Sequence, residues 1–159
     1  MSKARVVRQK AGPRGRKERP DSPAAPELRI IPLRLGAEVQ SGDSLPRLLL
    51  DALKHQKLRQ GDILVVKHKI VSKAEGQLVD LTKIKPSVAS RRWAHRYHLD
   101  AQVIELATQQ SHRIVRRQRG VLITETRHGL ICANSAVDVS NVDGGRHALL
   151  LPHDPDRSA

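Results

Sequence analysis

Two stretches and one histidine pair carry side chains whose types and spacing could do chemistry. The first stretch runs from His68 to Leu81, HKIVSKAEGQLVDL, where alternating extended-type sequence gives way to Ala74-Glu75-Gly76 with Lys73 at the junction. A flexible ammonium at a strand exit is a point charge suited to phosphate oxygens; a solvated turn lysine is the other reading. The second, ICANSAVDVSNVDGG from Ile131 to Gly145, places Asp138 and Asn141 after a strand in a loop of small residues. A carboxylate there can hold a hard cation, and an amide can read a base or a phosphate. Asp and Asn in loops also satisfy their own backbone. His95 and His98 stand three apart on an expected helix, but no further ligand is near them in sequence, which favours surface histidines over a metal pair. Cys132, inside an apolar strand, reads as a small core residue. The chain has no Walker-type glycine loop, dinucleotide fingerprint or HExxH pair.

The elements that must position these groups follow from periodicity and punctuation. LRIIPL reads as a strand, and GAEVQSGDS, Gly36 to Ser44, as a loop. Asp43 or Ser44 can cap a helix with Pro46 in its first turn. Leu45, Leu48, Leu49, Ala52 and Leu53 then form one apolar stripe, read as core. Ile63 to Val71 is expected to be a strand, Pro86 to His98 a helix, and Asp100 the cap of another helix through Ala107. Strands are expected at Ser111–Arg117, Val121–Glu125 and Leu130–Ala133, the last two forming a hairpin with Arg127-His128-Gly129 at its tip. A further short strand covers Ala148 to Pro152. This order has no βαβα alternation, so the expected class is α+β, a mixed and mainly antiparallel sheet with a few packed helices.

Charge and composition bound the partners. The 159 residues are enough for one domain with a core, and 29 Lys plus Arg against 16 Asp plus Glu give a formal net charge of +13. That balance favours anionic partners. Part of it is local: residues 1–26 are basic, Pro- and Gly-containing and lack apolar periodicity, so they are expected to be a disordered arm that could touch nucleic acid. Trp93 and Tyr97 are the only aromatic residues, which makes nucleic acid an unexpected partner for the folded part. A single cysteine, the lack of a hydrophobic signal core and the absence of a membrane-length apolar run lead us to expect a cytoplasmic protein with no membrane partner.

IVSKAEG, VLITETRHG, CANSAVDVSNV and LLLPHDPDRSA, in that order, closely resemble the coenzyme F-420-0:L-glutamate gamma-ligase family. The resemblance covers about Ile30 to Ala159 and makes residues 27–159 the N-terminal part of a gamma-glutamyl ligase-like domain. It implies a GTP-dependent ligase of coenzyme F-420 biosynthesis that joins L-glutamate to a deazaflavin coenzyme precursor. A carboxylate is activated as an acyl phosphate, which the amine of glutamate attacks. It also implies a magnesium or manganese ion and a dimer. Position by position, it assigns Gly36, Ala37, Glu38 and Val39 to a first nucleotide-contacting loop, with His68, Lys69, Lys73 and Asn141 as further GTP contacts. Asp138 becomes a metal ligand, and no catalytic residue is assigned. Phosphoryl transfer is mainly positioning and charge neutralisation, which a lysine, a metal and its carboxylate supply.

Two departures stand out. Ala136 occupies a position where the family usually has glycine, so a left-handed backbone there would be strained. The family also continues beyond LLLPHDPDRSA with an Asp-Thr pair of further metal ligands. The expectation is therefore a half-length chain inactive alone, completed as a homodimer or by a polypeptide carrying the second half. The alternatives are a non-catalytic nucleotide-binding or assembly module and, more distantly, a nucleic-acid binder acting through the basic arm.

Overall fold

A computed structural model describes residues 3–10, 27–139 and 143–158. The class is α+β, with short helices and sheets whose pairings are all antiparallel. The chain divides into two compact units, residues 1–74 and 75–159.

In the first unit, β1 (Lys3–Lys10) lies between β2 (Glu27–Arg34) and β3 (Ile63–Val66). Within the stretch expected to be a disordered arm, residues 3–10 therefore form a strand, consistent with the β-branched pair Val6-Val7; residues 1–2 and 11–26 lie outside the described residues. Pro32 is tolerated because β2 is an edge strand, where a missing donor costs little. Helix α1 (Leu45–Leu53) has Pro46 in its first turn, as expected, but Ser44 in the cap position makes no side-chain capping hydrogen bond, and the Asp43 carboxylate accepts from the Gln40 N–H of the preceding loop. Leu49 and Leu53 of its stripe pack with Ile31 around the buried Leu33.

The strand expected over Ile63–Val71 ends at Val66, and His68–Ala74 form a helix, α2. The β-branched run favours extension locally, but α2 buries Ile70 and Ser72, and tertiary burial outweighs so weak a preference. Gly76, at φ +71°, follows its end, and the Gly42 N–H donates to the Ala74 carbonyl at 2.9 Å, satisfying an end group of the helix.

The second unit begins with β4 (Leu78–Asp80), which pairs with β8 (His147–Leu149). Between them lie α3 (Val88–Tyr97), α4 (Ala101–Gln109) and the sheet β5 (Ser111–Gln118), β6 (Val121–Thr126), β7 (Ile131–Ala133). The helix boundaries are written in the sequence. The Ser87 hydroxyl accepts from the Ser90 N–H at 3.2 Å, and Asp100 accepts from the N–H groups of Gln102 and Val103 at 2.7 and 3.1 Å. The expected β6–β7 hairpin is present, pairing Thr124 with Cys132. Leu81, Leu106 and Ala148 form the buried core, flanked by Val79, Ile84, Val103, Val137 and Leu150. A final turn of helix, α5, covers Pro155–Ser158. Among the described residues, no helix is long and apolar enough to cross a membrane.

Candidate functional site

The first unit brings together seven of the residues expected to contact a nucleotide. The loop from Gly36 to Asp43 leads from β2 to α1, and the Gly42–Ala74 bond ties it to the C-terminal end of α2. The Gln40 N–H donating to the Asp43 carboxylate at 2.8 Å folds the loop on itself. Glu38 and Lys73, distant in sequence, form an ion pair, with the Lys73 ammonium donating to Glu38 Oε1. That hydrogen bond, with the lysine's charge, holds the Glu38 carboxyl below the usual carboxylate range. The lysine is the more covered partner, its side chain 21% exposed against 60% for Glu38, so its head is held at a defined place. Lys73 thus stands in the last turn of a helix rather than at a strand exit, and Lys69 lies one turn before it on the same face.

The other members differ in what they can offer. Gly36 and Ala37 are exposed, and a side chain at Gly36 would meet nothing within 4 Å. Val39 is 1% exposed, so its side chain anchors the loop in the core and only its backbone could meet a ligand. His68 is exposed at the start of α2. Residue-by-residue reading missed Ser72, which is fully buried between the two lysines in sequence. Its hydroxyl has no hydrogen-bond partner among the described residues, a state that usually marks a ligand, ion or water nearby.

The second unit holds Asp138; Asn141 lies outside the described residues. Asp138 is half-buried and exchanges backbone hydrogen bonds with Leu149, its N–H donating at 3.0 Å and its carbonyl accepting at 2.8 Å. Just before it, Asn134, Ser135 and Ala136 all adopt left-handed backbone, at φ +50°, +52° and +56°. Ala136, where the resemblance led us to expect glycine, therefore sits at positive φ.

Buried hydroxyls clamp this turn. The Ser135 N–H donates to Thr124 Oγ1 at 2.9 Å, the two hydroxyls lie 2.9 Å apart, and Ser135 Oγ donates to the Ala107 carbonyl at 2.6 Å. Thr124 and Ser135 lie in the blocks VLITETRHG and CANSAVDVSNV, but nothing in the chain alone pairs them, because β6, α4 and the turn meet only in three dimensions.

As for a cation, Asp138 is the one expected ligand, and among the described residues no group of three or more His, Cys, Asp or Glu could hold a metal by themselves. A lone carboxylate fits magnesium or manganese bound mostly through water and phosphate. His95 and His98 are both exposed, and Cys132 is half-buried rather than deep in the core.

Behind the turn, α4 is fixed to α3 by one carboxylate. Glu105 Oε2 accepts from the Ser87 N–H at 2.9 Å, and Gln109 Nε2 donates to its other oxygen at 3.2 Å. The backbone donor first, then the hydroxyls of Ser87 and Ser90, hold the Glu105 carboxyl down at a pKa of about 2.

Coenzyme F420:L-glutamate ligase of Methanopyrus kandleri is 42% identical over 134 residues, 84% of this chain and 52% of the relative. The protein of that name from Methanothermobacter thermautotrophicus is 42% identical over 123 residues, 76% of this chain and 48% of the relative. The one from Archaeoglobus fulgidus is 31% identical over 132 residues, 83% and 51% respectively. The chain thus spans about half the length of the curated relatives it matches. The profile of F420-0:Gamma-glutamyl ligases matches residues 35–159, most of the chain, and the chain belongs to that family.

Proposed function

We propose that these residues hold GTP for the joining of L-glutamate to a deazaflavin coenzyme precursor, a ligation of coenzyme F-420 biosynthesis. The observation that carries the reading is the ion pair of Lys73 with Glu38. It unites the two sequence blocks assigned to the nucleotide and fixes an ammonium beside an exposed loop. Lys69, on the same face of α2, would add a second cation for the phosphates. In the proposed reaction a substrate carboxylate takes the terminal phosphoryl group of GTP, releasing GDP. The glutamate amine then displaces phosphate from the acyl phosphate and loses a proton as the amide forms. A magnesium or manganese ion would neutralise phosphate charge. Because the curated relatives are about twice as long as the matched stretch, the reading concerns the part of the site that lies in these residues.

Isothermal calorimetry of GTP with magnesium tests the reading on wild type and Lys73→Ala. Loss of a charge-assisted contact to phosphate is worth about 1.5–3 kcal/mol, so the variant should bind about 10- to 100-fold more weakly. Equal affinity in the two proteins, or no GTP binding by wild type, would refute it.

A further inference from the structure

We propose that α3 and β5 form a surface that binds single-stranded nucleic acid, with RNA as the probe of choice. This rests on the second unit alone and not on the ligase reading. Every cation from Pro86 onward that does not depend on histidine titration is an arginine, since the last lysine is Lys85. Arg92 and Arg96 of α3, Arg116 and Arg117 of β5 and Arg119 of the next turn are all exposed. The two elements are in contact: the Arg117 guanidinium lies 4.3 Å from the Trp93 ring centre, and it reaches the Ala89 carbonyl at 3.5 Å. None of these five arginines makes an ion pair among the described residues; Arg113 takes the carboxylate of Glu125.

Arginine suits this ligand for two reasons. Its fork matches phosphate oxygens, and its plane stacks. With Trp93 beneath Arg117 and Tyr97 beneath Arg96, at 5.7 Å, the aromatic rings serve as supports. The exposed faces offered to bases are then guanidinium planes, which answers the scarcity of aromatic residues in the chain. An edge strand often carries charges and bulges to deter sheet pairing, and β5 has both. That role does not account for Arg92 and Arg96, which stand on a helix.

Arg119 makes a separate point. It occupies the first position of a two-residue hairpin turn, at φ +49° before Gly120 at +80°, where Asn, Asp or Gly is favoured. A bulky cation kept at a strained turn is better explained by what the cation binds than by the turn. A membrane surface is the competing partner, because Val88 of α3 and Ile114 and Val115 of β5 are exposed as well; the vesicle arm of the test separates the two.

The test is fluorescence anisotropy of a labelled 12-nucleotide oligouridylate with the full chain, titrated between 50 and 200 mM salt. Arg92→Glu/Arg96→Glu/Arg116→Glu/Arg119→Glu is compared with an equal charge change in the basic N-terminal segment, Arg14→Glu/Arg16→Glu/Lys17→Glu/Arg19→Glu. We expect the α3–β5 variant to lose about tenfold or more at 50 mM salt, and its log–log salt slope to shrink by about 3, from ~0.7 for each single-strand phosphate contact. The N-terminal variant should lose less than about threefold. If the charge reversals prevent folding, as judged by circular dichroism, the four Arg→Gln substitutions on α3 and β5 replace them. Equal losses in the two variants, no loss in the α3–β5 variant, or binding to vesicles containing phosphatidylserine without binding to RNA would each overturn the proposal.

Discussion

Replacing Glu105 with Gln should destabilise the protein by an amount that shrinks as pH falls. In the fold this carboxylate accepts the Ser87 N–H that opens α3, together with hydroxyl donors, and its pKa drops from 4.5 to about 2. A depressed folded-state value means that the ionised form is favoured by folding. Its contribution is complete above pH ~4.5, is lost as pH falls from there toward ~2, and is absent below that. At ~1.4 kcal/mol per unit the shift corresponds to about 3 kcal/mol, and screening of this half-exposed group reduces it to about 1.5–2 kcal/mol.

Glutamine keeps an acceptor for one neutral hydrogen bond, so Glu105→Gln should cost about 1–1.5 kcal/mol at pH 7. For a chain of this size that is a fall in Tm of roughly 2–6 °C. Thermal melts followed by circular dichroism at pH 7, 5, 4 and 3 read the effect. At pH 3 less than about half of the wild-type advantage should remain. A gap in Tm that stays constant with pH, or widens as pH falls, would show that the charge is not what holds Ser87, and the reasoning would fail.

Two further substitutions probe the turn before Asp138. Thr124→Val keeps the shape but leaves the Ser135 N–H without its acceptor in a buried place, and should cost about 2–3 kcal/mol, seen as a lower urea midpoint with an unchanged slope. Ala136→Gly should relieve left-handed strain of about 1–2 kcal/mol, offset by about 0.5–1 kcal/mol of backbone entropy. A rise in Tm of about 1–4 °C is expected, and a fall would mean that the alanine methyl contributes packing worth more than the strain.

Much of this fold could be read from the chain because its boundaries carry specific residues. Pro46 in a first turn and Ser87 and Asp100 at their caps each mark a helix start that needs no tertiary information, and Gly129 marks the β6–β7 turn. What escaped depends on contacts between distant segments. The stretch from Ile63 to Val71 is rich in β-favouring Ile and Val, and the burial of Ile70 and Ser72 favours α2 over a longer strand. The pairing of β1 was hidden because Arg5 and Arg8 made its short apolar centre resemble part of a charge run. Family resemblance assigned two blocks of the first unit to a nucleotide, yet it gave no sign of their coupling through Glu38 and Lys73. A carboxylate and an ammonium 35 residues apart give no periodic signal.

The left-handed turn raises the question of how an alanine survives at Ala136. Three consecutive non-glycine residues in this conformation cost about 1–2 kcal/mol each, somewhat less for Asn134, or roughly 3–5 kcal/mol in all. The Ser135 N–H to Thr124, the hydroxyl pair and the bond to the Ala107 carbonyl supply about 0.5–1.5 kcal/mol each, or roughly 1.5–4.5 kcal/mol. The two sums are of similar size, so the hydroxyl clamp is sufficient to hold the turn without glycine. A turn held this way is over-determined from two sides, by β6 and by the end of α4. Asp138, two residues beyond Ala136 and bonded through its backbone to Leu149, inherits that fixed position. The clamp should therefore matter more to where Asp138 sits than the choice between alanine and glycine. On this argument Thr124→Val would displace the carboxylate, whereas Ala136→Gly would leave it in place.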